Sequence, residues 1–211
     1  NVIAEIQRAN LKAINFTDQN MSVIGKIKVN FLGRSVDDFI GEASLFDVAL
    51  TKDDEAYVFD TLHLYSMTVD NKKQIELKNS DVNILLNGNF KLTELPASIN
   101  SYLSKYYPAY FKKNTGKLSD QQFTLKAELR NVDQYLKIFN KKISGFDNTI
   151  ITSSVNTEEE LFLVDVNIPQ ASFGKYEFRD FVFHGDGDID SLRVTSGAGV
   201  VTINDSLQFP S

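Results

Sequence analysis

The stretch A-Y-V-F-D-T-L-H-L at residues 56–64 has a counterpart in K-Y-E-F-R-D-F-V-F at residues 175–183. In each, an aromatic pair (Tyr57 and Phe59; Tyr176 and Phe178) precedes a second apolar pair (Leu62 and Leu64; Phe181 and Phe183). Residues two apart on a strand share a face. Phe59 to Leu62 and Phe178 to Phe181 each step by three, so unbroken alternation cannot put both pairs on one face. A bulge or bend at Asp60-Thr61, and again at Arg179-Asp180, restores the phase and is therefore expected.

The duplication reaches outward from this stretch. R-S-V-D-D-F-I at 34–40 aligns without a gap on R-N-V-D-Q-Y-L at 130–136, and each follows an alternating segment. The offset between copies is 96 residues there, from 34 to 130, and 119 at the strand, from 57 to 176. Its growth predicts an extra hairpin in the second copy. Three segments leave the strand pattern. Residues 95–107 carry Leu95, Ile99, Leu103, Tyr106 and Tyr107 at helical spacing, with Thr93 as a cap, Pro96 in the first turn and Pro108 as the stop. Residues 132–139 carry Val132, Tyr135, Leu136 and Phe139 behind an Asn131 cap. A short helix follows a Ser35 cap, with Val36, Phe39 and Ile40 inward. The expected organisation is a first β repeat unit at 1–93 with a helix near 35–40, an amphipathic connecting helix at 94–113, and a second β unit at 114–211 with a helix near 132–139.

Elsewhere period two dominates. Ile27, Val29 and Phe31 alternate with Lys28 and Asn30, while Phe162, Val164, Val166 and Ile168 stand opposite Leu161, Leu163, Asp165 and Asn167. D-N-K-K, N-G-N, G-D-G-D and S-G-A-G mark tight turns. The fold class is mainly β with a few short helices, and internal repetition of a sheet-building unit suggests an architecture extended along one direction.

Composition narrows the function. The 211 residues include 22 Lys and Arg against 28 Asp and Glu, a net charge of -6 that opposes nucleic-acid binding. There is no Cys, which removes disulfides, thiolate chemistry and Cys-ligated metal. No apolar run approaches the ~18 residues of a membrane span. The chain begins at Asn, as expected of a processed or excised piece. Neither metal nor cofactor is expected. His63 lies on the opposite strand face from Leu62 and Leu64, His184 is read as opening a turn, and both read as surface residues. Asp186, Asp188 and Asp190 have the first spacings of an EF-hand loop, but Ser191 and Gly197 occupy the places that need Gly and Glu. Glu158, Glu159 and Glu160 read as a solvated hairpin tip. No nucleophile elbow is present, so no catalytic residue is assigned. The cluster Tyr102, Tyr106, Tyr107, Tyr110 and Phe111, followed by Lys112 and Lys113, suits either a membrane interface or a helix packed over the end of a sheet.

S-V-D-D-F-I-G-E-A-S-L-F-D-V-A-L, then Y-V-F-D-T-L-H-L-Y-S, I-E-L-K-N-S-D-V-N-I-L-L-N-G-N-F and L-T-E-L-P-A-S-I-N-S-Y-L, resemble a segment of an AsmA-like protein of the TamB-type translocation and assembly module, over most of residues 23–203. The resemblance implies a long curved sheet forming a taco-like trough lined by aliphatic and aromatic side chains. It implies a non-enzymatic role in outer-membrane biogenesis, in the periplasm of Gram-negative bacteria, with an inner-membrane anchor outside this segment. Its implied partners are phospholipid or another envelope lipid, neighbouring repeats of the same chain, and an outer-membrane assembly protein reached through other regions. Tyr57, Phe59, Leu62, Leu64, Tyr176, Phe178, Phe181 and Phe183 are the candidate inner face. Two alternatives stand beside this reading: a closed β-sandwich burying the same residues, and a β-rich adhesion or protein-binding module.

Overall fold

The computed structural model describes residues 2–13, 18–52, 55–188, 190–203 and 207–210. In chain order the elements are β1 (Val2–Asn10), β2 (Met21–Leu32), β3 (Ile40–Lys52), β4 (Glu55–Phe59), β5 (Leu62–Val69), β6 (Lys72–Lys78), β7 (Val82–Asn89) and α1 (Leu95–Leu103). There follow β8 (Gln122–Leu129), α2 (Asp133–Phe139), β9 (Ile143–Ser144), β10 (Thr149–Asn156), β11 (Leu161–Phe173), β12 (Tyr176–Gly187), β13 (Leu192–Gly197), β14 (Val200–Ile203) and β15 (Leu207–Pro210).

All of the strands join one antiparallel sheet. Its path runs β1-β2-β3-β5-β6-β7-β8-β10-β11-β12-β14-β15, with β4 beside β3, β9 beside β11 and β13 beside β12. The sheet is open and curved, which overturns the closed-sandwich alternative. Among the described residues no helix is long and apolar enough to cross a membrane.

Register carries one apolar row across nine strands. Val29, Ala43, Leu64, Leu77, Ile84, Ala127, Ile151, Val166 and Phe183 stand directly opposite one another in succession. Residues opposed in antiparallel strands share a face, so this row lines one side of the sheet. The adjacent row, on the other side, is Glu42, Tyr65, Glu76, Leu85, Lys126, Thr152, Asp165 and His184. Most of the apolar row is only half-buried, including Leu64, Leu77, Ile84, Ile151, Val166 and Phe183. An open sheet has no opposite layer to cover it.

Burial concentrates where α1 meets this face. Phe39, Ile75, Phe90, Phe123 and Val155 form the buried core, against which Leu95 and Ile99 of α1 pack. Pro96 occupies the first turn, but the cap position is Glu94 and makes no side-chain cap bond. Thr93 is engaged elsewhere, donating from its amide and hydroxyl to Asp37 at 3.1 and 2.5 Å. These bonds hold the Asp37 carboxyl below its usual range. The helix expected over 95–107 stops at Leu103. From there the chain tightens, with Lys105 and Tyr106 amides donating to the carbonyls three residues back at 3.1 Å.

The helix expected near 35–40 is a turn. Asp38 Oδ1 accepts from the Arg34 amide (3.0 Å), the Ser35 amide (2.5 Å) and the Ser35 hydroxyl (2.8 Å), closing the loop before a helix can propagate. Of its three expected inward residues only Phe39 is buried, and Val36 and Ile40 are exposed. For α2 the expected Asn131 cap is also replaced. Asp147 Oδ1 accepts from the Val132 and Asp133 amides at 2.6 and 3.0 Å, and the Asp133 carboxylate accepts from the Gly145 and Phe146 amides at 2.7 and 2.9 Å. A cap supplied from fourteen or fifteen residues away pins α2 to the loop before β10. Between α2 and β11 the chain forms β9 and β10, whereas the turn after β2 runs straight into β3.

Candidate functional site

Near α2 the apolar face deepens into a cleft of about 380 Å³. Its walls are Leu45, Val48 and Leu50 of β3, Phe59 and Leu62 flanking the β4–β5 break, Leu77 of β6, Val82 and Ile84 of β7, and Tyr135 of α2. Asp60 and Asn79 supply the remaining lining.

Two phase slips on neighbouring strands build this cleft. Asp60 and Thr61 leave the ladder between β4 and β5, so Phe59 and Leu62, three apart, reach the same hollow. On β3 the register with β2 shifts between Ile24 and Lys26, and Asp47 adopts φ +53°. Leu45 and Val48, also three apart, therefore line the cleft together. The bend inferred from the sequence thus has a partner on the adjacent strand, written in L-F-D-V at 45–48. In the second copy Asp180 has φ +51°, and Phe178 and Phe181 meet edge to face at 6.4 Å. There β12 itself stays continuous and its neighbour divides, β14 pairing with Tyr176–Arg179 and β13 with Val182–Gly187.

Tyr135 closes the cleft, stacked on Phe59 with centroids 5.1 Å apart and planes within 10°. Its hydroxyl donates to Asp81 Oδ2, which also accepts from Gln134 Nε2 at 3.2 Å, while Asn131 Nδ2 donates to Asp81 Oδ1 at 3.2 Å. Asp81 is buried, and these bonds satisfy it. Lys52 Nζ donates to the Ile138 carbonyl and ties α2 to β3. Ile138 itself is 2% exposed.

Burial, and next the bond to Asp81, push the Tyr135 phenol up to about 12. An unfolded tyrosine ionises near pH 10. The folded state therefore keeps its proton longer, and this contribution to stability is intact below pH 10 and lost as pH rises towards 12. The melting midpoint should fall across that interval, and Tyr135→Phe should flatten part of the fall. An identical alkaline profile in the variant would remove Tyr135 from this role. Tyr102, raised by burial and its bond with Tyr106, adds to the loss in the same direction.

The other candidate inner-face residues spread along the trough. Leu64 and Phe183 belong to the long apolar row, and Phe181 is half-buried on the same side. Tyr57 is half-buried opposite Leu50, and its hydroxyl donates to Glu55 at 2.6 Å. Tyr176 is exposed beneath the Lys175 ammonium. The five residues of the aromatic cluster divide. Tyr102 is buried, stacks on Phe162 at 5.4 Å and donates to the Glu160 carbonyl at 3.1 Å. Tyr106 donates to the Asp188 carbonyl, so both tie α1 and its following turn to hairpin tips. Tyr107 and Tyr110 are exposed, and Phe111 is half-buried.

His184 lies within β12 on the polar face, not at a turn, with Nδ1 2.7 Å from Asp165 Oδ1. His63 Nδ1 lies 3.0 Å from Ser44 Oγ. Asp186 belongs to β12, and Asp188 accepts from the Asp190 and Ser191 amides at 2.9 and 2.8 Å. Among the described residues no group of three acidic or histidine side chains is placed to hold a metal ion.

Leu45, Val48, Asp81 and Ile138 were not singled out by the sequence reading. The step of three in L-F-D-V is a legible signal for the first two. Nothing near Asp81 in the chain announces a partner more than fifty residues away. Compared with protein-family models, curated proteins and solved structures, the chain matches none.

Proposed function

We propose that this chain is a non-enzymatic segment of a periplasmic envelope-biogenesis protein of the AsmA/TamB type, whose apolar β trough holds or guides lipid between the inner and outer membranes. The observation that carries this reading is the half-buried apolar row that crosses the sheet and deepens into the cleft beneath Tyr135. A contiguous apolar surface left open to water is costly to keep unless something covers it. The cleft's volume falls within the ~300–1,000 Å³ of ordinary ligand pockets. Its lining is predominantly aliphatic and aromatic, which suits retention and passage of alkyl chains. In this reading phospholipid is the cargo, further repeats of the same chain extend the trough, and the membrane anchor and the outer-membrane partner are met outside this segment.

The test uses octyl, decyl, dodecyl and tetradecyl maltosides below their micellar concentrations, displacing a fluorescent naphthyl probe. Each buried methylene is worth ~0.8 kcal/mol, about a fourfold gain in affinity, so binding should tighten stepwise until the cleft is filled. A flat series, or no displacement by any chain, would sink the proposal.

A further inference from the structure

Asp60 lines the cleft and is exposed, and it sits in the two-residue gap that the phase slip removes from the ladder. Its Oδ2 accepts from Ser80 Oγ at 2.5 Å. Several other charged groups around the cleft have partners of their own. Asp81 is buried under Tyr135, Gln134 and Asn131, Glu55 pairs with Lys141 at 2.9 Å, and Lys52 donates to the Ile138 carbonyl. Lys78 pairs with Glu76 at 2.9 Å, on the polar face of the sheet. Among the described residues no Lys or Arg lines the cleft. The bend that creates the hollow therefore also sets one carboxylate at its rim.

We propose that Asp60 makes the cleft selective for a single alkyl chain bearing an ammonium head, alone or in a zwitterion, over a chain ending in a carboxylate or another anion. This rests on the alkyl-binding reading above. An alkyl chain in the hollow brings its head to the rim, where the Asp60 charge attracts an ammonium and repels a carboxylate. At a half-solvated rim the discrimination is on the order of tenfold, and salt screens it. The second copy does not reproduce this rim. Arg179 takes the place of Asp60 there and pairs with Glu177 at 2.8 Å.

The experiment compares dodecyltrimethylammonium, laurate and neutral dodecyl maltoside as displacers of the naphthyl probe from the whole chain at low salt. The unaltered chain should prefer the ammonium to laurate by about tenfold. Asp60→Asn, which keeps an acceptor for Ser80, should bring the ratio to within about twofold, and Asp60→Lys should reverse it. Maltoside affinity, measured for each variant, is the neutral reference to which the two charged ligands are scaled. An ammonium-to-laurate ratio equal in the unaltered chain and in Asp60→Asn would overturn the role of Asp60. Failure of all three ligands, the maltoside included, would instead overturn the alkyl-binding reading on which it rests.

Discussion

Gly88→Ala should lower the melting midpoint by roughly 6–12 °C, although it adds a single methyl group. Gly88 lies in β7, between Lys73 of β6 and Phe123 of β8, where the two halves of the sheet join. Its φ is +149°, and a Cβ there would stand 2.1 Å from the Gln122 carbonyl oxygen and 2.7 Å from the Phe123 Cα. Both obstacles are backbone, so no rotamer change relieves them. Either the Gly88 backbone refolds or β8 moves away and gives up ladder bonds. Forced backbone conformations cost about 1–3 kcal/mol on their own, and lost pairing brings the total to about 3 kcal/mol or more. For a chain of this length each kcal/mol shifts the midpoint by about 2–4 °C. Gly197→Ala is the control, since its Cβ would meet only Val182 Cγ2 at 3.7 Å. Equal midpoints for the two variants, measured by circular dichroism, would show that the β7–β8 approach is looser than described.

The second large effect is on binding. Leu62→Asp should weaken alkyl maltoside binding by about a hundredfold or more and leave the sheet folded. Leu62 is half-buried where β5 begins, so an added carboxylate there reaches water when the cleft is empty. A seated chain would strip that water and leave a charge against hydrocarbon with no partner. Leu62→Trp gives an independent measure by filling the hollow with apolar volume while preserving its polarity. Both variants should lose dodecyl maltoside while keeping the β-rich circular dichroism spectrum. A folded Leu62→Asp or Leu62→Trp that binds as the unaltered chain does would place the alkyl site elsewhere. Phe181→Asp separates the cleft from the rest of the trough, because Phe181 lies across the sheet from Leu62 and lines no part of the cleft.

Much of this architecture could be read along the chain. Alternation in Phe162, Val164, Val166 and Ile168 marked the face that β11 turns inward, since those four are half-buried and Leu161, Leu163, Asp165 and Asn167 are exposed. The step of three from Phe59 to Leu62 marked the break that makes the cleft. Helix ends were less legible. Thr93, Ser35 and Asn131 all have the chemistry of caps, yet none caps a helix. Thr93 serves Asp37, Asn131 serves Asp81, and Asp147 takes over the start of α2. Side chains with several possible acceptors choose among them by what tertiary packing brings near. Tyr102 followed the same logic. The aromatic cluster that contains it suits either a membrane interface or a helix packed over a sheet end, and Phe162 and the Glu160 carbonyl draw Tyr102 into the sheet end.

The sequence by itself determined an antiparallel, mainly β chain with one apolar face and phase slips at Asp60 and Asp180, because period and step are properties of neighbours in the chain. Tertiary structure alone decided that the sheet stays open, that α2 is pinned beside β3, and that Tyr135, held by Asp81, and Asp60 line one hollow. Those outcomes depend on contacts between residues far apart in sequence, and alternating strands satisfy a closed sandwich as readily as an open trough.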